Sequence, residues 1–315
     1  MLIYIARRVG ISVIVLLGIV VVTFLMIHLV PGDPARIELG AHATPAAVAE
    51  IRHEMGLDRP FFAQFAVFLR NTVSGHFGKS ATFSAPVAET ILNRVAPSAI
   101  LIGYGLLVAI TLGVPLAIVA AVRQGGSLDK IISLVTTFSF AMPSFWFGLM
   151  LALVFGLELG VFPVSGYETG IGGILRTMTL PALTLALALL VIIVRNLRAN
   201  LIDVLHSDYI EAARVRGFSE RRVVLRHALR NSVIGTITIL GSLFGYVIGI
   251  LVLIEAVFQI PGAGSLLVQA VQRRDYQLVQ ALALFSGVIV VLIGLFTDVF
   301  HAVIDPRIRL AGRRG

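Results

Sequence analysis

Few residues in this chain combine a reactive type with a spacing suited to chemistry, and each meets a specific obstacle. Gly78-Lys79-Ser80 ends like a phosphate loop, in which backbone N–H groups cradle phosphate oxygens and the lysine reaches them. Such a loop needs another glycine five positions before Gly78, where Val73 stands, so the tripeptide reads as a turn. Ser165-Gly166 and His301 would suit a serine hydrolase, but Pro163 occupies the glycine position of the nucleophile turn. The predicted spans also put Ser165 and His301 a membrane apart, whereas nucleophile and base must lie about 3 Å from each other. Glu255 and Asp298 border apolar runs, where ionisable groups are functional candidates by default. At about 1.5 Å per residue, Glu255 reaches the external interface and Asp298 the internal one, which suits a gate or a helix anchor better than a midplane proton relay. With no cysteine, the chain has no thiolate metal site, disulfide or thiol nucleophile.

The elements that must position these residues are apolar. Of 315 residues, 57% are hydrophobic and only 13% charged, with a mean hydropathy of +0.96. A soluble core of this size could not hide so much apolar surface. Six runs lack Asp, Glu, Lys and Arg: Val9 to Val30, Ser98 to Val122, Ile131 to Leu157, Thr177 to Val194, Asn231 to Ile254 and Tyr276 to Thr297. Each has the length of a helix that crosses a bilayer of about 30 Å. The expected fold is an all-α polytopic membrane protein with six spans. The first run follows Arg7 and Arg8 but is too long for a signal peptide, and is read as an uncleaved span.

The net charge of +8 follows the membrane, not a nucleic acid. With a cytoplasmic N-terminus, the segments on that side carry 16 Lys and Arg and the external segments 9, although the external ones are longer. The positive-inside rule therefore puts both termini in the cytoplasm. The chain divides into a first span up to residue 30, an external lid over 31–97, and a five-span core over 98–315 with a cytoplasmic loop at 195–232. Within the lid, Thr44-Pro45 opens a helix that carries Val48, Ile51 and Met55 and stops at Gly56. A second helix, from Pro60 to about Val73, gathers Phe61, Phe65, Phe68 and Leu69 on one face. That face can lie on membrane lipid, cap the external mouth or pack on other helices.

In the spans, Gly241, Gly245 and Gly249 recur every fourth residue and predict a close-packing face, within the subunit or toward a partner or the pore. Pro143 and Pro181 are expected to mark bends. Ser144 and Trp146 beside Pro143 are pore or interface candidates, and Trp146 is equally suited to anchoring at the interface.

The cytoplasmic loop is the most distinctive segment. It reads Asp208-Tyr209-Ile210-Glu211-Ala212-Ala213-Arg214-Val215-Arg216-Gly217, then Phe218-Ser219-Glu220. Gly217 predicts a helix stop, and Ser219 a cap for a second helix with Glu220 in its first turn. The small side chains of Ala212 and Ala213 predict a low surface that another protein can approach.

Glu211, Ala212, Ala213 and Gly217 form an E-A-A-x-x-x-G signature that resembles the permease subunits of ATP-binding-cassette importers. The resemblance extends over nearly the whole chain, toward the first permease of the dipeptide, oligopeptide and nickel branch. It rests on P-G-D-P (Pro31 to Pro34), L-D-R-P (Leu57 to Pro60), M-P-S-F-W (Met142 to Trp146), F-P-V-S-G (Phe162 to Gly166) and S-D-Y-I (Ser207 to Ile210). Further matches are R-H-A-L-R-N (Arg226 to Asn231), P-G-A-G (Pro261 to Gly264), R-D-Y (Arg274 to Tyr276) and D-P-R-I-R (Asp305 to Arg309). One departure is Gly235, where the general signature often has proline.

The resemblance implies a passive half-channel in a bacterial inner membrane, part of an importer for peptides or for a solute such as a nickel chelate. It implies a second permease subunit, cytoplasmic ATPase subunits that bind ATP and magnesium, and an extracytoplasmic solute-binding protein. The chain itself would hold no cofactor and catalyse nothing. The residues around Glu211 to Gly217, with Asp208, Tyr209, Arg216 and Phe218, would transmit closure of the ATPases. An ion-coupled secondary transporter is the other reading of six spans, and the protruding loop and the absence of a midplane charge stand against it.

Overall fold

The computed structural model describes residues 2–29, 34–39, 43–54 and 56–304. Met55, most of the P-G-D-P motif, the D-P-R-I-R motif and the side chain of His301 lie outside what is described. The helices run in the order α1 (Leu2–Leu29), α2 (Pro34–Leu39), α3 (Pro45–Glu54), α4 (Phe61–Ser74), α5 (Val87–Val122), α6 (Ser127–Ala141), α7 (Ser144–Leu151) and α8 (Gly170–Thr177). They continue with α9 (Thr179–Leu205), α10 (Asp208–Val215), α11 (Glu220–Arg222), α12 (Leu229–Ser242), α13 (Phe244–Val257), α14 (Ala263–Gln272) and α15 (Tyr276–Ile304). Wider π turns, Ala152–Glu158 and Val223–Ala228, extend α7 and α11. Among the described residues the only β pairing is an isolated antiparallel bridge between Lys79 and Pro86.

Among the described residues, four stretches are long and apolar enough to cross a bilayer as continuous helices: Ile5–Met26, Val87–Val122, Thr179–Leu205 and Tyr276–Phe300. Two helix pairs are apolar enough only when each is taken together across a sharp bend, Ser127–Ala141 with Ser144–Glu158 at 100° and Glu220–Ser242 with Phe244–Val257 at 59°. Four of the six expected runs are thus continuous helices, and the other two are the bent pairs. Pro143 causes the first break, because it removes a backbone donor and pushes the residue before it out of the helical region; Met142 has φ −90° and ψ 139°. The second break, at Leu243, directly follows Gly241-Ser242, a pair of the kind that permits sharp kinks. Pro181 was also expected to mark a bend. It lies in the first turn of α9, where its missing N–H has no helical partner to lose, and the helix runs on unbroken.

The chain forms two compact units. The first comprises Pro97–Pro261 and the chain from Ile293 onward. Its most enclosed long helix is α9, which contributes Leu185, Leu189 and Ile193 to a core shared with Leu101 of α5 and Ile250, Ile254 and Phe258 of α13 and its end. Lipid is as apolar as these side chains, so close packing rather than exclusion of water must hold this part together.

The second unit comprises Leu2–Ala96 and Gly262–Leu292. Val87, Ile91, Leu266, Leu278 and Leu282 form its core. Thr44 caps α3 by accepting the Ala47 N–H at 3.3 Å, and Gly56 and Gly75, at φ 69° and 73°, follow α3 and α4. The aromatic face of α4 packs on α1: Phe61, Phe65 and Phe68 surround Phe24 with ring centroids 5.2, 5.2 and 5.6 Å away. Of the three uses open to that face, packing on another helix is the one observed. Gly78-Lys79-Ser80 is a pinned turn, as its sequence suggested. The Ser80 hydroxyl and the Thr82 N–H donate to one Asp275 oxygen, and the Leu278 N–H donates to the other.

Candidate functional site

The segment around the E-A-A signature begins on a helix longer than its apolar run. α9 continues eleven residues past Val194, to Leu205, carrying Arg195, Arg198 and Asn200 with it. The chain turns at His206-Ser207 and forms α10, which starts at Asp208, with Ser207 extended before it (φ −81°, ψ 148°). Ile210 and Ala213 face inward and join Leu197, Leu201, Val223, Ala228, Ala117 and Ala121 in a small apolar core. Here water is available as the alternative solvent, so burying Ile210 contributes on the order of 1.5–3 kcal/mol.

The end of α10 explains Gly217. Its N–H donates to the Arg214 carbonyl at 2.9 Å and the Phe218 N–H donates to that of Ala213 at 3.3 Å, a pairing that satisfies carbonyls left free by the helix end. The geometry requires a left-handed residue, and Gly217 has φ 82°. Phe218 then folds back onto the small core, stacks on His227 with 5.5 Å between centroids, and takes the Arg222 guanidinium over its face at 4.7 Å.

Two further bonds brace the turn. Asn231 donates to the Tyr209 hydroxyl at 2.8 Å, and Arg214 donates to Glu220 at 2.8 Å. Ser219 occupies the expected capping position with extended backbone, but its side chain makes no capping bond; the turn is held by Arg214 and Glu220 instead. The return passes through the π turn into α12, where Gly235 sits against the Asn200 side chain. Asn200 and Ser232 exchange bonds to each other's carbonyls, both at 3.3 Å. A side chain larger than glycine at 235 would collide with Asn200, so α9 and α12 are in close register here.

The outer face of α10 carries Asp208, Tyr209, Glu211, Ala212, Val215 and Arg216, all exposed. Val215 is 83% exposed, unusual for an aliphatic residue beside a packed core. Ala213, expected beside Ala212 on the approachable surface, is instead 7% exposed and part of the core. One residue along a helix turns the side chain by about 100°, and Ala213 shares the side of Ile210.

The membrane candidates separate. Ser144 and Met142, at the first break, line a small cavity of about 30 Å³ together with Thr184 and Tyr246. The two bends therefore reach one place, a conjunction no single run of sequence signals. Trp146 follows on α7 with its ring edge-on to Phe147 at 5.5 Å. The glycines do not share a continuous helix face: the break at Leu243 separates Gly241 from Gly245 and Gly249. Gly241 admits Thr297 so closely that any Cβ there would overlap it, whereas Gly245 and Gly249 are exposed.

Glu255 is fully buried and accepts the Ser98 hydroxyl bond. That contact suits an anchor between α5 and α13. Asp298 is partly buried near the end of α15. Sequence reasoning missed an ion pair that joins α6 to α9. Arg198 donates from Nε and Nη2 to the two Asp129 oxygens at 2.6 and 2.7 Å, and the Gly125 N–H adds a third bond at 2.9 Å. The available signal was two opposite charges at the basic-side ends of apolar runs.

Residues 113–310 match the family described as binding-protein-dependent transport system inner membrane component. Residues 1–100 match its N-terminal counterpart. The chain belongs to this family. It is 38% identical over 294 residues to the glutathione transport system permease protein GsiC of Pectobacterium atrosepticum, covering 93% of this chain and 94% of that one. It is 35% identical over 311 residues to the oligopeptide transport system permease protein AppB of Bacillus subtilis, covering 97% and 98%. A chain of the MetNI methionine ABC transporter in inward-facing crystals shares the fold, with a TM-score of 0.57 at 16% identity over 69% of this chain and 96% of that one. This family member is an inner-membrane permease subunit of an ABC importer, as its motifs implied, and its fold is the all-helical one expected. Ion-coupled transport finds no support among these relatives.

Proposed function

We propose that this permease admits short peptides as half of a heterodimeric channel. An extracytoplasmic solute-binding protein feeds the channel, and cytoplasmic partner subunits that bind ATP and magnesium drive it. The peptide class is supported by relatives named for glutathione and oligopeptides. The distribution of Lys and Arg supports an orientation with both termini and α10 in the cytoplasm and the lid at 31–97 outside.

The observation that carries the coupling role is the braced turn itself. Its inner side is packed and Tyr209 and Arg214 are braced by Asn231 and Glu220, yet Tyr209, Ala212, Val215 and Arg216 remain exposed together on the outer side. A rigid knob with an apolar tip suits a cleft in an ATPase subunit, and a push on it passes along α9 and α12 into the spans. Met142, Ser144 and Tyr246, where two spans break, are assigned to the pathway, and Glu255 and Asp298 to anchoring. The chain itself neither binds nucleotide nor hydrolyses it.

The test combines topology with assembly. Cysteines introduced at Ala43 and Ser219 should be labelled by an impermeant reagent in sealed cells at 43 only. Ala212→Arg should insert at normal abundance yet lose ATPase co-purification and peptide uptake. Labelling at 219 alone, ATP turnover by the isolated subunit, or normal uptake by the variant would overturn the assignment.

A further inference from the structure

The second unit contains a cavity of about 450 Å³ between the end of α1, the lid helix α4, the turn at Gly78 and the start of α15. Its volume falls within the usual range for small-molecule sites. None of its lining residues is acidic, whereas Arg59, Lys79, His28 and His76 all contribute to it. The carboxylates nearby in sequence are engaged elsewhere: Asp58 pairs with His53 at 2.7 Å, and Asp275 takes the bonds of the pinned turn. Neither Arg59 nor Lys79 is paired with a carboxylate among the described residues.

Two lining atoms point to a ligand independently of charge. Thr72 Oγ1 and Gln277 Oε1 are buried and have no hydrogen-bond partner. An unmet buried acceptor costs about 1–3 kcal/mol, so such atoms call for a donor that is not part of this chain. Neighbouring lining groups are engaged and hold the walls in place. Gln64 donates to the Arg59 carbonyl at 2.8 Å and accepts at 3.1 Å from the His28 ring, while Gln280 donates to the Thr23 carbonyl at 2.8 Å. The cavity is therefore braced, cationic at its exposed rim and short of donors within.

We propose that this lid cavity binds a small solute carrying a carboxylate and a hydrogen-bond donor, with the carboxylate at Arg59 and Lys79 and the donor at Thr72 and Gln277. Choosing a short peptide as that solute rests on the function proposed above; the anion site itself does not. The lid then holds solute by itself, separately from the binding protein.

The experiment uses the full chain in detergent or nanodiscs, without binding protein, and measures equilibrium binding of trialanine, trialanine amide and glutarate at up to millimolar concentration. Trialanine should bind, and the amide, which lacks the carboxylate, should bind at least about tenfold more weakly. Arg59→Gln with Lys79→Gln should weaken both trialanine and glutarate by a similar factor while leaving the melting temperature unchanged, since both side chains are exposed. Gln277→Met should weaken trialanine by several-fold without loss of thermal stability, because it removes an unpaired oxygen; a merely structural glutamine would lower stability instead.

Binding of no probe, equal binding of the amide, unaltered binding by the variants, or binding only when the binding protein is present would overturn the proposal. Uptake by the assembled importer separates this from the function. Uptake of trialanine without binding in the cavity rejects the site alone. Glutarate binding that the rim variants weaken, without peptide uptake, rejects the peptide reading and keeps the anion site.

Discussion

The knob around α10 and the lid around α4 are both short helical excursions from long helices, and they dispose their polar groups differently. In the knob, Tyr209 meets Asn231, Arg214 meets Glu220, and the carbonyls of Ala213 and Arg214 are closed by Phe218 and Gly217. What remains outward is surface, including the aliphatic Val215. In the lid, the aromatic face is spent on Phe24, while Thr72 and Gln277 stay unpaired beside cations. The knob keeps His227 Nε2 buried and unmet beside Phe218, but Asn231 and Glu220 brace its turn, which makes it stiff. The lid's unmet oxygens line a cavity, the arrangement proposed above to receive a small solute.

The comparison is broken most forcefully by two adjacent alanines. Ala213→Arg places a charge in the knob's apolar core and should cost on the order of 3–5 kcal/mol, read as lost protein in the membrane. Ala212→Arg, on the exposed face, should leave abundance unchanged and abolish ATPase association. If both variants lose abundance equally, the knob has no docking side.

Removing the Asp129 carboxylate by substitution with alanine leaves Arg198 and the Gly125 N–H without their acceptor. About 2–3 kcal/mol should be lost, discounted because Arg198 is partly exposed. The fall in melting temperature should be larger than for any exposed ion pair, and Arg214→Ala, whose partner Glu220 is exposed, gives the contrast at about 0.5 kcal/mol.

Gly217→Val tests stiffness directly. The position has φ 82° and open space around it, so the penalty is backbone strain alone, about 1–2 kcal/mol. Insertion should be normal and uptake lost; intact uptake at intact abundance would remove the coupling role. In the lid a small effect is expected, and it carries the opposite sign. Gln277→Met should raise stability by up to about 1 kcal/mol in a thermal melt, and a decrease would mean that the glutamine oxygen is satisfied after all.

Local features were legible in the sequence because they depend on neighbours along the chain. The apolar runs announced the spans. Gly56 and Gly217 sit where a helix end needs a left-handed residue, and Thr44 where one needs an acceptor. Pro143 announced a break, and the nine motifs announced the family. What the tertiary structure alone decided depends on residues far apart in sequence. Ala212 and Ala213 are identical in type, and only the positions of Leu201 and Val223 make one surface and the other core. Gly241, Gly245 and Gly249 keep the four-residue spacing of a packing face, yet the kink at Leu243 divides them and Thr297 claims the first. The pairing of Asp129 with Arg198, of Ser98 with Glu255, and the unmet oxygen of Gln277 likewise arise where distant helices converge. Spacing sets the angle at which a side chain leaves its helix, but burial and pairing are set by whatever the rest of the chain brings to that side.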